Sequence, residues 1–544
     1  MGSTLLYKLS HKPNRASART SARTSARTSI HKRGLYLGVV PERAARLRGA
    51  MPLVLDHDLD VLPESGRRLT VSQLAGHVAD IANRLAVAGV RPGGHVVICK
   101  APNFDLWLLA TAVERIGAVP VMLSQHLDSE AIAALLARLE RPHLVTDGPK
   151  LRALTEDAVD LAELTRGVIG VGDAGPGAVA LADLDGTVPV RPVLRGLDEP
   201  AMITHTSGTT GLPKLVVHTP RTMRSRLRPQ LFLLGLMRKR GTVAIHIPFG
   251  HSRTFAALSL CLLLGMPALL VKDGTPDAIA GFFAERRPWL IEALPNSFLA
   301  WEELADDTRR PFASVKYFSS TFDAIHPRTV RRLLEASAQR AQFFQIYGQS
   351  EVGPAVGRPY YRRFAHRMDG RCVGYPLPGS AQVRLVSRDG RRPSQRNPGF
   401  IDVRWDGIAK TYHGEQERYD ANLHDGWWRT GDVGYRTSFG CLHMLDREFD
   451  SIPGVGSNLE IEDILLDALA ELTEVVVVPG PGSHAVPVVC THRDEPLDPD
   501  RWRTATAAYP QLAEPVQIPL AELPRTATLK TRRVELSRRL EAGL

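Results

Sequence analysis

The residues best suited to chemistry lie in one short polar loop. Residues 206–214 read Thr-Ser-Gly-Thr-Thr-Gly-Leu-Pro-Lys, and strand-like stretches at 201–205 and 215–218 flank them. A loop of hydroxyls and glycines lets backbone N–H groups converge on phosphate oxygens, while the hydroxyls donate further hydrogen bonds. The spacing is not that of a Walker A loop, and a plain polar turn is the alternative. We predict that this loop binds phosphate groups.

Three later segments carry side chains that a nucleotide site needs. Residues 347–351 read Tyr-Gly-Gln-Ser-Glu and end in a carboxylate, a hard oxygen ligand that suits Mg²⁺ beside phosphates. Residues 428–432 read Trp-Arg-Thr-Gly-Asp, and an acid in this setting can hold a ribose diol. Lys530 follows a Pro-Arg-Thr segment in the basic tail. Alone, each segment is an ordinary turn or a solvated lysine, so their order along the chain is the informative feature.

Taken in order, these segments resemble the adenylate-forming superfamily of acyl-CoA synthetases, peptide-synthetase adenylation domains and luciferases, from about Met51 to the C-terminus. The resemblance implies an AMP-forming enzyme that uses ATP and Mg²⁺ to adenylate a small organic acid and releases pyrophosphate. It implies a nucleotide site built from Thr206, Ser207, Gly208, Thr209, Thr210, Gly211, Lys214, Tyr347, Gly348, Ser350, Asp432 and Arg447.

The same resemblance implies individual roles. Tyr347 would stack on adenine and Ser350 would reach the α-phosphate. Asp432 and Arg447 would contact the ribose. Catalysis would fall to Thr209, Glu351 and Lys530, with Glu351 as the metal ligand and Lys530 bridging the incoming oxyanion and the α-phosphate.

The expected acid pocket is narrow. His251 fits a position that gates this pocket in relatives, although a lone histidine is often structural. Ser320, Thr321 and Phe322 stand where relatives commonly have Gly-Gly-Ala. Because larger side chains narrow the cleft, we predict that the substrate is a small or planar acid, a class that includes aromatic acids, rather than a long-chain fatty acid.

The acceptor of the second half-reaction is an open question. Phe449 replaces the usual charged hinge residue, Leu529 replaces a glycine before the lysine, and the loop at 453–458 is short. Each change restricts the domain rotation that lets a thiol enter. The leading hypothesis is transfer to the thiol of CoA or an acyl carrier protein. The alternatives are a non-CoA acceptor, as in an amide ligase or a nitrite-activating diazotase-like enzyme, and a non-catalytic interaction protein.

The alternation of helix and strand predicts an α/β fold with parallel sheets covered by helices. Residues 51–445 are predicted to form a large N-terminal AMP-binding domain, with a small β subdomain near 380–445. Residues 446–544 are predicted to form a small mobile α+β lid. The longest apolar stretch, residues 255–271, is interrupted by Gly265 and Pro267, and we interpret it as a buried helix and strand, not a membrane span.

The formal net charge of +10 resides entirely in residues 1–50, which hold eleven basic residues and one acid. The remainder is neutral, so no nucleic-acid partner is expected. A Ser-Ala-Arg-Thr repeat lies within this segment. It faintly resembles a transit peptide, but we favour a disordered extension or sequence upstream of a start at Met51.

The cysteine pattern suits a reduced, cytoplasmic protein. Five cysteines are scattered without a Cys-x-x-Cys pair, at 99, 261, 372, 441 and 490. Neither a disulfide framework nor a zinc site is predicted.

Overall fold

The structure is a computed structural model. It describes residues 34–173, 175–206, 212–237, 239–377, 381–448, 452, 455, 457–480, 484–526 and 530–542. Most of the predicted phosphate loop (Ser207, Gly208, Thr209, Thr210 and Gly211) lies outside the described residues, as do Phe449 and Leu529. The remaining predicted site residues are all described.

An eight-stranded sheet forms one half of the large domain. The six strands from Met202–His205 to Val179–Ala180 run parallel to one another. At the other edge, Leu215–His218 pairs antiparallel with Met202–His205, and Thr411–Tyr412 pairs antiparallel with Leu215–His218. In spatial order the strands are Thr411–Tyr412, Leu215–His218, Met202–His205, Val119–Met122, His95–Cys99, His143–Asp147, Gly167–Val171 and Val179–Ala180. The predicted parallel sheet is therefore confirmed.

A second, fourteen-stranded sheet pairs in parallel from Gln342–Gln349 to Pro52–Leu55 and is antiparallel on either side of that part. In spatial order its strands are Gln382–Val386, Gly399–Arg404, Trp427–Arg436 (which also pairs with Leu423–His424), Leu442–Arg447, Cys372–Pro376, Gly353–Tyr361, Gln342–Gln349, Tyr317–Ser320, Leu290–Ala293, Val243–His246, Ala268–Leu270, Pro52–Leu55 and Arg68–Thr70. The predicted β subdomain is thus the antiparallel end of this sheet, hydrogen-bonded to its parallel part through Gly353–Tyr361.

Helices cover the sheets and begin where local chemistry favours them. Thr70 and Gln73 form a capping box at the start of Val71–Val87. Gly265, at φ +71°, ends the helix Ser252–Leu264 before the strand Ala268–Leu270, as predicted for the apolar stretch. The other helices are Val40–Arg48, Asp105–Ile116, Ser129–Arg138, Gly148–Glu156, Leu161–Leu164, Pro220–Leu236, Pro276–Arg286, Pro295–Ala300, Pro327–Ala336, Gln416–Asp420, Asn458–Ala468, Pro499–Thr506 and Arg533–Glu541.

The C-terminal unit has its own three-stranded sheet and core. The strands are Leu472–Pro479, Ala485–Thr491 and Val516–Gln517, and the helices Asn458–Ala468 and Arg533–Glu541 pack on them. It contacts the large domain through Arg371, whose Nη1 lies 2.9 Å from Glu460. None of the helices within the described ranges is long and apolar enough to cross a bilayer.

The expectation of disorder through residue 50 is wrong for residues 34–50. Leu37 begins a short 3₁₀ turn that leads into the helix Val40–Arg48, and Leu35, Leu37 and Val40 are buried. The Gly38 N–H donates to Glu114 Oε2 at 2.7 Å, and a β-carbon at Gly38 would come within 2.4 Å of the Arg115 backbone. The basic composition of the segment concealed these few apolar residues, which supply enough buried surface to dock it.

The expectation that no disulfide forms is also wrong. Cys372 and Cys441 are bonded, with a sequence separation of 69. They lie on or beside the neighbouring antiparallel strands Cys372–Pro376 and Leu442–Arg447. Spacing along the chain did not reveal the pair, because the sheet alone brings the two residues together. Cys99, Cys261 and Cys490 are free and buried.

Candidate active site

A cavity of about 510 Å³ lies where the two sheets meet. It is lined by residues that directly follow, or end, parallel strands of both sheets. These residues include Leu123, Ser124, Thr204, His205, Ile247, Val271, Lys272, Leu294, Thr321, Phe322, Gly348 and Ser350. In α/β sheets, ligands bind beyond the carboxyl ends of strands, so this cavity is the candidate active site.

Lys530 lines the cavity, although it belongs to the C-terminal unit. Two hydrogen bonds to Thr526 fix the Lys530 backbone. The Thr526 N–H donates to the Lys530 carbonyl at 2.8 Å, and the Lys530 N–H donates to Thr526 Oγ1 at 3.2 Å. Burial lowers the pKa of the Lys530 amine, while Asp323, Asp432 and Glu351 oppose that shift. The Arg447 charge lowers the Lys530 pKa further, so the amine lies in a field of both signs.

Glu351 sits in a three-residue cluster just outside this wall. Its Oε1 accepts a 2.6 Å hydrogen bond from the Tyr412 phenol and lies 3.5 Å from Lys214 Nζ. Lys214 also donates to Tyr412 Oη at 3.1 Å and lies over its ring. Burial, and then the Glu351 charge, raise the Tyr412 pKa. Within the described part of the chain, nothing donates to Glu351 Oε2, so this oxygen suits a hard cation such as Mg²⁺.

Arg226, on the helix Pro220–Leu236, supports the turn that carries Glu351. Its guanidinium donates to the carbonyl oxygens of Gly407 at 2.7 Å, Ser350 at 2.9 Å and Glu351 at 2.8 Å. Burial lowers the Arg226 pKa to about 10. The Arg226 guanidinium thus positions Ser350 beside the cavity, and it binds the backbone carbonyl of Glu351 rather than the carboxylate.

Asp432 forms a second buried acidic position. Its Oδ2 accepts hydrogen bonds from Tyr347 Oη at 2.5 Å and Gln349 Nε2 at 3.1 Å, and its Oδ1 lies 3.8 Å from Arg447 Nε. Burial raises the Asp432 pKa, and the Arg447 charge and the Tyr347 hydrogen bond oppose that shift. Tyr347 itself packs in the core beside the cavity and is 8% exposed.

His251 lines the cavity. Its Nδ1 accepts the Arg253 N–H at 3.0 Å, at the start of the helix Ser252–Leu264. Burial, helped by Arg226, His205, Lys530 and Arg253, lowers the pKa of His251 to about 3. A neutral ring whose Nδ1 accepts a hydrogen bond carries its proton on Nε2. His251 is therefore a hydrogen-bond donor.

The structure gathers some predicted residues on the cavity wall and leaves others behind it. His251, Thr321, Phe322, Gly348, Ser350 and Lys530 line the cavity. Ser320 does not line the cavity. It is buried, and its Oγ has no hydrogen-bond partner among the described residues. Thr206 bonds back to Lys214, whose carbonyl accepts the Thr206 N–H at 3.0 Å. Lys214, Glu351, Tyr347, Asp432 and Arg447 form the two clusters described above.

Three contributors were missed from the sequence. Arg226 and Tyr412 lie far along the chain from the motifs they support, and no spacing connects them. His205 lines the cavity and is the last residue of the strand Met202–His205. Its Nε2 accepts a hydrogen bond from the Ser124 N–H at 3.1 Å. Its position immediately before the polar loop was a usable signal.

Comparisons with known proteins find similar sequences and similar folds. A family model described as "AMP-binding enzyme" matches residues 42–413. The 3-amino-2-hydroxy-4-methoxybenzoate diazotase of Streptomyces cremeus is 43% identical over 530 residues, which cover 93% of this chain and 96% of that protein. The 3-aminoavenalumate diazotase of a Streptomyces species is 26% identical, covering 75% of this chain and 74% of that protein.

Among solved structures, a benzoate CoA ligase from Burkholderia xenovorans LB400 superposes with a TM-score of 0.77. The identity is 19%, and the match covers 92% of this chain and 100% of that one. At this identity the likeness concerns the fold alone.

Proposed function

Because the chain belongs to the AMP-binding enzyme family, within the adenylate-forming superfamily, we propose that it uses ATP to activate nitrite and diazotises an aromatic amine. The observation that carries this proposal is the 43% identity, over nearly the whole chain, to a protein named as an aminobenzoate diazotase. A diazo group needs a second nitrogen atom, and nitrite supplies it. The oxidised nitrogen of nitrite balances the reduced nitrogen of the amine. No external oxidant or reductant is then required.

The first step is adenylation. A nitrite oxygen attacks the α-phosphorus of ATP, the bond from that phosphorus to the β-phosphate oxygen breaks, and pyrophosphate leaves. Lys530 on the cavity wall would stabilise the charge that accumulates on the α-phosphate, and His251 would donate from Nε2 to the oxyanion. Bound Mg²⁺, held by Glu351, would neutralise phosphate charge.

The second step forms the nitrogen–nitrogen bond. The amine attacks the nitrosyl nitrogen, the nitrogen–oxygen bond to AMP breaks, and one amine proton is lost. The second amine proton then moves to the nitroso oxygen, and loss of that oxygen as water, after a further protonation, leaves the diazonium group. The apolar part of the cavity, with Leu106, Phe249 and Leu294, offers a surface for the aromatic ring.

In the same scheme, Asp432 and Arg447 would bind the ribose, and Thr206, the loop at 207–211 and Lys214 would bind the phosphates. The large nucleotide-binding domain would begin near residue 34 and the C-terminal lid near residue 446. The low exposure of Tyr347 and its bond to Asp432 favour a ribose-positioning role over adenine stacking.

Product analysis tests the proposal. The enzyme is incubated with ATP, Mg²⁺, [¹⁵N]nitrite and an aminohydroxybenzoate at mildly alkaline pH, where nitrite alone does not diazotise amines. We expect a product that carries one ¹⁵N and couples with a naphthol to give an azo dye, with AMP release that needs nitrite. Nitrite-independent AMP release, with no labelled product, would reject the proposal.

A parallel arm addresses thiol transfer, the leading prediction from the sequence. CoA replaces nitrite, and thioester formation is followed by mass spectrometry. A thioester formed with an aromatic acid, at a rate above that of diazotisation, would establish an acid–thiol ligase instead. The same arm run with a simple amine in place of CoA would detect an amide ligase.

A further inference from the structure

We propose that Phe322 selects which oxyanion is adenylated: packed against His251, its ring leaves room for nitrite and excludes the carboxylate of an aromatic substrate. This inference rests on the function proposed above. It makes Phe322 a specificity-determining residue of the first step.

Selectivity is a chemical necessity in such an enzyme. An aminobenzoate substrate carries its own carboxylate, which is a competent nucleophile toward the α-phosphorus of ATP. If it reacted, the carboxylate oxygen would form the new bond to phosphorus, pyrophosphate would leave, and ATP would be spent on an acyl adenylate. The protein must therefore keep that carboxylate away from Lys530 while admitting nitrite.

The backbone of Phe322 is held in an uncommon conformation. Its φ is +90°, a region that a bulky side chain rarely adopts. The residue follows the strand Tyr317–Ser320, whose neighbours in the sheet fix its position. A conformation of this kind persists only where the surroundings impose it, and such positions cluster at functional sites.

The side chain of Phe322 closes the cavity beside His251. The two rings lie 4.4 Å apart between centroids, tilted by 54°, and both line the cavity. The next residue, Asp323, interacts electrostatically with the Lys530 amine. Phe322 thus lines the same cavity as His251 and the lysine that serves adenylation.

This arrangement distinguishes the two oxyanions by shape. Triatomic nitrite has nothing behind its nitrogen, so it requires little space beside His251 and Lys530, which both line the cavity. A benzoate presents a ring directly behind its carboxylate carbon, and that ring would meet the ring of Phe322. The aromatic substrate is then confined to the remainder of the cavity, with its amine toward the nitrosyl group.

Pyrophosphate exchange into ATP measures the first step with each acid alone. The variants are Phe322→Ala and Phe322→Gly, since glycine also accommodates the positive φ. Phe439→Ala, which trims an exposed phenylalanine that does not line the cavity, is the matched control. Thermal unfolding of each variant verifies that it is folded.

In the wild type we expect exchange with nitrite and little with benzoate or aminobenzoate. Both Phe322 variants should raise the ratio of benzoate-supported to nitrite-supported exchange by about 10- to 100-fold, whereas Phe439→Ala should leave it near the wild-type value. Folded Phe322 variants with an unchanged ratio would overturn the inference. If the wild type shows no exchange with nitrite at all, the proposed function itself fails, so the two failures are distinguishable.

Discussion

Tyr347 Oη lies 2.5 Å from Asp432 Oδ2, and this bond joins two strands that are not neighbours in the sheet. Tyr347 is on Gln342–Gln349 and Asp432 is on Trp427–Arg436. Both residues are buried, and Gln349 donates to the same carboxylate oxygen. The phenol therefore fixes a carboxylate whose burial would otherwise disfavour its charged form.

The first prediction removes this phenol. In Tyr347→Phe, a buried charged acceptor loses a donor, which costs about 1–3 kcal/mol. If Asp432 binds the ribose, the KM for ATP should rise about tenfold, a change of about 1.4 kcal/mol, with the KM for nitrite unchanged. Exchange kinetics measure both constants.

Tyr360→Phe is the control for this prediction. The Tyr360 phenol is also buried and donates to the Cys372 carbonyl at 2.7 Å, at a point away from the cavity. It should lower the unfolding temperature as Tyr347→Phe does, but leave the KM for ATP unchanged. An equal effect of both variants on that KM would argue against a specific role of the Tyr347–Asp432 bond.

Periodicity and turn chemistry predicted the elements well where the signal was local. The stretch at 143–147 predicts a strand, observed as His143–Asp147, and the residues at 70–73 predict the capping box that is present. The sequence at 460–472 predicts a helix, observed as Asn458–Ala468, because Leu472 instead begins a strand. Apolar residues at a helix end fit either element, so the boundary required tertiary context.

The site was predictable only where its residues share a segment. Gly348 and Ser350 of the 347–351 motif both line the cavity because both lie at the end of the strand Gln342–Gln349. Arg226, by contrast, contacts Ser350 and Gly407, which lie 124 and 181 residues away in the sequence. No motif in the helix that carries Arg226 indicates these contacts. Long-range contacts of this kind are decided by sheet order, which one sequence does not specify.

Glu114 should make stability depend on pH. Burial raises the pKa of this carboxyl from 4.5 to about 8. Between those values the unfolded chain ionises while the folded protein keeps the proton, so stability falls with rising pH, by up to about 1.4 kcal/mol per unit. Glu114→Gln keeps an acceptor for the Gly38 N–H and does not ionise. Its unfolding temperature should therefore exceed that of the wild type near pH 8 and vary less with pH.

The control is Glu156→Gln, a change at an exposed glutamate. It should reproduce the wild-type dependence on pH in a thermal-shift series across this range. If Glu114→Gln gave the same slope as the wild type, ionisation of Glu114 would not be the cause.

The bond between Cys372 and Cys441 should stabilise the antiparallel end of the large sheet. Closing a loop of this length, with a sequence separation of 69, contributes about 4 kcal/mol in the chain-entropy description. Thiol titration of the unfolded protein should find three free thiols before reduction and five after it. Reduction should lower the unfolding temperature of the wild type but not that of a variant combining Cys372→Ser and Cys441→Ser. Five free thiols without reductant would contradict the pairing.

Lys530 should be essential for adenylation and dispensable for nucleotide binding. It is the one residue of the C-terminal unit on the cavity wall within the described ranges. Removing a charge that stabilises a developing oxyanion typically costs about 10²- to 10³-fold in rate, so Lys530→Ala should slow nitrite-dependent exchange by that factor. Titration calorimetry should find ATP affinity nearly unchanged. Lys316→Ala, at an exposed site before the strand Tyr317–Ser320, should retain full activity. Exchange at the wild-type rate in Lys530→Ala would show that the lysine on the cavity wall takes no part in AMP transfer.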